Sequence, residues 1–541
     1  MSVLCLMTRG GALMKHTMKH NKARSLAFIF SLMLSLLPAS LSAAEFSVRL
    51  LPAYDFALQS SFENVFSGTV SLDLSPITVR KRDEIYFSLQ GGTIFMLAPN
   101  VDPVNFYNFG GAVGYNFRVT DRIGVSAEAN AGMWTLPENK EKKLESASGL
   151  SFGGRLAADY YLSPVLKAGV FGGYQNYFYK PKPFLHSIQA GVGITINLTK
   201  SLFKSDGIKA EESEASPLFP IFYAHYDSNS FGRVSFTNIE KNDITDVEIS
   251  VFIEQFMSVP KVVNTIERVK PGEEFSAELT AFLNESIMNQ MQKQMTDVVV
   301  TVSYKSLGQK NQFENRFFLQ TLTRNSMSWE DDRRAAAFVS AKDGAVQRFA
   351  RQISLALRDK IDSAESPNQL YAKAIFAVLK EYGINYVIDP TSVFSTSDTV
   401  AVDFLQFPYQ TLLYHGGDCD DLSILNCALF ESLGIQTAFI TIPGHIYMAY
   451  DSGLTAGAAD RIYGKGKYIV QNDKVWIPFE ITVPQDNYEL ALKLGLRQWN
   501  KYSNDHNLIP VHDAWNEFKP VTVPESDVSV QFPKEALKNL K

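Results

Sequence analysis

Cysteine is nearly missing from this chain: Cys5, Cys419 and Cys427 are the only three in 541 residues. Cys5 precedes a stretch with the marks of a secretion signal and would leave with it. The other two are eight positions apart on one predicted helix, about 12 Å at the helical rise and too far for a disulfide. That excludes a disulfide-stapled secreted scaffold and leaves two free thiols. An excess of basic charge is missing too. Lys+Arg 51 against Asp+Glu 57 give a formal net charge of -6, and no basic cluster interleaved with aromatics occurs, so nucleic acid is not an expected partner. The apolar stretch Ser25 to Leu37 falls short of the ~20 residues of a spanning helix. With Lys15, Lys19, Lys22 and Arg24 before it and Ser42-Ala43-Ala44 after it, residues 1–44 are expected to be a signal peptide, starting at Met1, Met14 or Met18. No cysteine follows the cleavage site, which argues against a lipid anchor.

What the chain does have is β-forming material. Hydrophobic content of 45%, charged content of 20% and 38 Phe with 23 Tyr describe a folded, strand-rich protein. Its length implies two to four domains.

Residues 45–200 alternate with period two. In Phe109 to Val119 one row is Phe, Gly, Val, Tyr, Phe, Val and the other Gly, Ala, Gly, Asn, Arg. Eight strands are predicted, opening near Phe46, Phe66, Ile85, Phe109, Ile123, Ser148, Val165 and Phe184. An even count, and lengths near the ~9–11 residues of a tilted membrane strand, suit an outer-membrane barrel. Alternation alone leaves a soluble β domain open. Two features favour the membrane: a polar row of small residues with Arg49, Asp73, Glu128, Arg155 and Asp159, and connections that alternate tight (119–122, 162–164) and long (97–107, 137–147). The charged residues would line a channel or fill the lumen as a network. Eight strands bring the chain back to the side where it entered, the periplasm, so the later domains would lie there, with outer-membrane lipid around the barrel.

Residues 201–216 are expected to be a linker. Residues 217–324 hold six predicted antiparallel strands, which suggests an immunoglobulin-like β-sandwich without a catalytic constellation. From Trp329 the pattern turns helical, with helices over Ala345–Asp362, Leu370–Tyr382 and Tyr488–Asn500 and a flap over Gly453–Lys467. Residues 514–541, with Pro520, Pro524 and Pro533, are expected to be an extended, loosely held tail.

Chemistry concentrates between them. Gly416-Gly417-Asp418-Cys419 leads into an amphipathic helix with Leu422, Leu425, Leu429 and Leu433 on its buried stripe and Gly434 at its end. A helix N-terminus favours thiolate and offers amides to an oxyanion. His445 sits on a following strand and Glu480 at the end of another. A nucleophile, a base and an orienting acid in this order form a cysteine-enzyme layout. His415 is a rival base, and Cys427 has the position of a core residue. Asp418, Asp420 and Asp421 surround the cysteine, where first-turn acids cap a helix.

The blocks GGDCDDLS, PGHIYMAY and WIPFEIT resemble the transglutaminase-like, papain-type cysteine enzyme superfamily over residues 325–513. The resemblance implies an α+β domain with Cys419 as nucleophile, His445 as base and Glu480 as orienter, although Asp is commoner at the last position. It also implies an oxyanion donor, for which Gln410 and Tyr414 are candidates beside the Cys419 amide, and it makes calcium the alternative to capping for Asp418, Asp420 and Asp421. The activity implied is acyl transfer or hydrolysis at an amide of a periplasmic or cell-wall protein or peptide, with a peptidase or amidase favoured over a crosslinking enzyme. A non-catalytic binding module tethered to the outer membrane is the alternative.

Overall fold

Period-two alternation from Glu45 onward closes into an eight-stranded antiparallel barrel: β1 (Glu45–Ala57), β2 (Asn64–Val79), β3 (Asp83–Ala98), β4 (Val101–Arg118), β5 (Ile123–Leu136), β6 (Ala147–Tyr161), β7 (Leu166–Tyr179) and β8 (Lys182–Asn197). The computed structural model describes residues 44–58, 64–79, 82–98, 101–139, 145–180, 182–202, 207–362, 364–388, 402–524 and 528–537. All but Ala44 of the expected signal peptide lies outside them.

The apolar row faces outward: Phe109 is 59% exposed, Leu156 65% and Val170 61%. The polar row faces inward, where Ser71, Ser88, Glu128, Arg155 and Gln189 are buried. The lumen is filled. Arg49 binds Glu128 at 2.6 Å and Asp73 at 3.0 Å, and Arg155 binds Glu128 at 3.2 Å. Asp159 pairs with Lys167. At the far end Phe106, Trp134 and Tyr177 form an edge-to-face aromatic cluster, with Val65, Ile94 and Leu185 in the same core. Of the two readings of the inward charges, this is the network.

One expected long loop is mostly strand. Val104 and Phe106 stay paired with Met96 and Ile94, because Phe106 continues the inward row into the aromatic cluster.

A short helix, α1 (Leu198–Leu202), leaves the barrel. The expected linker is then corrected: it contains β9 (Ile208–Ala215), which pairs with β10 (Gly232–Asn238). Alternating charge and small residues, Lys-Ala-Glu-Glu-Ser-Glu, disguise a strand with one exposed face. β11 (Ile244–Phe252), β12 (Lys261–Val269), β13 (Glu274–Glu278), β14 (Gln294–Ser306) and β15 (Gln309–Thr321) follow. They form a three-stranded sheet, β13-β10-β9, and a four-stranded sheet, β12-β11-β14-β15. Phe236 of one meets Phe313 of the other edge to face. Burying every second residue of β14 (Val298, Val300, Val302, Tyr304) supplies that core.

The last part holds β16 (Ser326–Ser328), α2 (Gly344–Ile361), α3 (Pro367–Tyr382), β17 (Asn385–Tyr386), β18 (Val402–Phe404), α4 (Pro408–Tyr414), β19 (Gly416–Gly417), α5 (Cys419–Ser432), β20 (Thr437–Ile442), β21 (His445–Asp451), α6 (Ala456–Ile462), β22 (Ile469–Gln471), β23 (Lys474–Phe479), α7 (Tyr488–Lys501), β24 (Asn507–Pro510) and α8 (Val511–Ala514). A five-stranded antiparallel sheet, β22-β23-β21-β20-β24, packs against α5. The expected flap contains α6, capped by the Thr455 side chain and braced by Tyr468 on Asp460.

The tail is not loose over its first half. Phe518 (3% exposed) stacks on His225, Val523 is buried, and Val521 N–H donates to the Ala337 carbonyl. The three prolines hide apolar residues spaced to cover the buried turn Ala335-Ala336-Ala337-Phe338. One hydrophobic core runs from Ile208 through the two sheets to Val523.

Candidate functional site

Two glycines set up the site because nothing larger fits. A Cβ on Gly417 would lie 2.5 Å from the Asp421 Cβ, and one on Gly416 would lie 2.8 Å from the Asn385 carbonyl. The chain can therefore run close beside β17, in parallel pairing with Asn385 and Tyr386, and turn directly into α5. Asp418 caps that helix in a reciprocal box with Asp421, which satisfies first-turn N–H groups. Cys419 is thus the first residue of α5 and 7% exposed.

The sheet brings the partners in. Ser423 of α5 donates to the Cys419 carbonyl at 2.6 Å and to the Ile446 carbonyl at 3.4 Å, tying the cysteine helix to the histidine strand. β21 pairs with β23, Met448 opposite Phe479, so Glu480 emerges beside His445. His445 Nε2 and Glu480 Oε2 are 3.0 Å apart, and Cys419 lies close enough to the ring to raise its pKa. The structure therefore brings Cys419, His445 and Glu480 together.

Glu480 is 1% exposed. Its Oε1 accepts from Thr482 N (2.9 Å) and Thr482 Oγ1 (2.6 Å), and Gln498 of α7 donates to Oε2. α7 comes this close because Gly495 lies on β23, where a Cβ would be 2.9 Å from Phe479 N. Burial pushes the Glu480 carboxyl up, but His445 and Thr482 outweigh it and hold it low. For His445, burial favours the neutral ring, yet the neighbouring Cys419 and Glu480 raise its pKa to about 10. The imidazolium is the resting form at neutral pH.

That folded-state value exceeds the ordinary ~6.5 of histidine. The charged ring therefore stabilises the fold fully below about pH 6.5, and the contribution is lost as pH rises through about 10. An NMR titration of the His445 ring should show its midpoint far above 8 in the native chain; a midpoint near ~6.5 would mean the three groups are not coupled.

The other candidates part company. Gln410 uses its side-chain oxygen on Phe407 N–H and Asn325, both at 2.8 Å, as the brace of the α4 start. Tyr414 is 60% exposed at the end of α4. His415 adopts φ 57° and stacks on Tyr382, with Nδ1 3.1 Å from the Tyr382 carbonyl, away from the triad. Cys427 is fully buried, and burial pushes its thiol well up.

Asp418, Asp420 and Asp421 are buried with ligand oxygens within 4.8 Å of one another. Asp421, however, spends Oδ1 on Gln406 N–H and Oδ2 on the Gln406 amide, both at 2.7 Å, and Asp420 Oδ1 accepts from Asp421 N–H at 2.8 Å. Burial and Asp418 raise the Asp421 carboxyl. This is the bonding of helix caps.

Gln498 and Tyr386 escape sequence reasoning. Tyr386 feels the charges of Cys419, Asp418 and Glu480, and burial with those charges raises its phenol. It enters the site only through the two-residue parallel bridge of β17 to β19, which leaves no periodicity to detect.

No family model and no curated protein matches the chain. Among solved structures, the barrel region is similar to Neisserial surface protein A, at 15% identity and a TM-score of 0.25, covering 29% of this chain and 99% of that one. It is also similar to the N-terminal β-barrel domain of Pseudomonas aeruginosa OprF (12%, TM-score 0.20, 28% and 98%). The outer membrane enzyme PagL gives 12%, a TM-score of 0.20, and 27% and 98% coverage. What this chain has in common with them is an N-terminal, closed, eight-stranded antiparallel barrel.

Proposed function

We propose that this is an outer-membrane-anchored cysteine enzyme whose catalytic part works in the periplasm. The observation that carries the chemistry is the grouping of Cys419 near the His445 ring, which the buried Glu480 holds at 3.0 Å. A helix-start cysteine packed on an antiparallel sheet that holds base and acid on neighbouring strands supports a transglutaminase-like domain, and the seven strands in two facing sheets support an immunoglobulin-like middle domain.

In this reading the Cys419 sulfur attacks an amide carbonyl, with the α5 N-terminal N–H groups stabilising the oxyanion. His445 gives its proton to the leaving amine, and the thioester carbon stays on sulfur. Water, deprotonated by His445, then cleaves it and restores the thiol. Water is abundant around such a domain, so hydrolysis of a protein or peptide is favoured over transfer to a second amine. Calcium has no step here, since Asp421 is committed to Gln406. The near-closure of Cys419, at 7% exposure, is the one observation that favours a binding-only module. Turnover of periplasmic or cell-wall peptides by the native chain but not by Cys419→Ala tests between them.

The anchor rests on the outward apolar row, which water would penalise by about 25 cal/mol per Å² and lipid would not. The full chain should fractionate with outer membranes and change mobility on unheated gels. A chain that purifies as a soluble monomer without detergent overturns the anchor and leaves the cysteine site untouched.

A further inference from the structure

The connection between β10 and β11 reads Glu240-Lys241-Asn242-Asp243, and its charges alternate. Each meets an opposite charge on one end of the barrel. Glu240 binds Lys200 at 2.7 Å, just after β8. Lys241 binds Glu84 of β3 at 2.8 Å and Glu45 of β1 at 3.1 Å. Asp243 binds Arg82, beside the β2–β3 turn, at 2.6 Å, and Arg82 reaches on to Asp121 of the β4–β5 turn at 3.1 Å. Arg122 of that turn donates to the Leu307 carbonyl of the β14–β15 turn.

These contacts are screened from water. Lys241 and Glu84 side chains are each 13% exposed, Glu240 8% and Asp243 11%. The loop is also shaped by its own domain. Asn238, fully buried, donates to the Asn242 and Val269 carbonyls and accepts from Glu240 N–H, while Asn242 donates to Ser306. Behind Lys241 and Asn242 lies a chamber of about 60 Å³, lined by Arg49, Asp73, Glu84 and Ser126 of the barrel wall.

We propose that Glu240–Asp243 is a fixed plug in the barrel mouth, so that the barrel is a sealed anchor and the two later domains are carried at one set orientation to the membrane. The direction of the plug, toward the periplasm, rests on the membrane reading above. An alternating − + − loop against + − + partners admits one seating, and a shift by one residue would oppose like charges. A preformed loop also loses little conformational freedom on docking.

The test is thiol access to the chamber in the full chain. Ser126→Cys is introduced with Cys5→Ser, Cys419→Ala and Cys427→Ala, and its reaction with a charged, membrane-impermeant methanethiosulfonate is timed. Lys241→Glu should speed labelling by at least about tenfold, since a buried pair broken on one side is strongly disfavoured. Adding Glu84→Lys and Glu45→Lys should restore slow labelling. Asp243→Arg should likewise speed it, and Arg82→Asp should reverse that. Fast labelling with Lys241 in place, or an unchanged rate in both Lys241→Glu and Asp243→Arg, overturns the plug. The gel shift of each variant reports whether its barrel is closed. A soluble barrel with a protected thiol would remove the membrane reading and keep the seal.

Discussion

Cys419→Ala is expected to lose turnover by at least about 10⁴, the scale on which loss of a triad member acts, together with all alkylation by iodoacetamide at mildly acidic pH. Cys427→Ala should keep both. The two thiols belong to the same helix, and the difference lies in surroundings. Cys419 stands at the start of α5 against His445, whose ring is held as a cation near the sulfur. Cys427 sits two turns on, fully buried, with its thiol pushed up by burial and beyond reach of a reagent. Removing its sulfur trims a packed core and should cost stability by about 1–2 kcal/mol without touching the chemistry. Labelling that follows Cys427 would overturn the assignment of the nucleophile. Labelling of Cys419 without any turnover of peptides would favour the binding module.

Glu480→Gln should carry the second largest effect, and it should show twice. Glu480 accepts from His445, Thr482 N–H, Thr482 Oγ1 and Gln498. An amide keeps one acceptor oxygen and places an NH₂ among donors, so one of these donors faces another. That should lower stability by about 1–3 kcal/mol. The imidazolium also loses its counter-charge, so the His445 midpoint should fall from about 10 toward the ordinary value. Turnover should drop, but by less than the ~10⁴ of a serine triad, because part of the support for the charged ring comes from Cys419. Glu480→Asp should retain part of the activity, since the shorter acid can still reach the ring. Full activity and an unchanged melting temperature in Glu480→Gln would take Glu480 out of the site.

Much of this was legible in the sequence, for identifiable reasons. The barrel strands announce themselves because every second residue meets a different solvent, and six of the seven sheet strands of the middle domain do so too. β9 was hidden because its exposed face is acidic and its buried face is small: Ile208 and Ala210 are its apolar inward residues. Cys419, His445 and Glu480 could be picked out because each sits at the end of a regular element, where order along the chain predicts neighbourhood in space. Gln498 and Tyr386 could not. They reach the site through the close approach of α7 at Gly495 and through a two-residue bridge, and neither leaves a pattern in one dimension. The hold on Gln410 was hidden for a similar reason: its side-chain oxygen accepts from Asn325, 85 positions away.

The hydrophobic core that passes without a break from the two sheets into the cysteine domain has a consequence for folding. Phe222 and His225 both pack on Phe518, and Arg324, which reaches Met288, donates to Tyr409. Neither half then has a complete interior of its own. Residues 208–523 should melt in a single cooperative transition, and a piece cut to begin at Asn325 would expose the apolar surface that Ile221 and Phe222 now cover. It would aggregate in the absence of the middle domain. In the cell, the sheets made first would have to wait, partly open, for the cysteine domain that closes them.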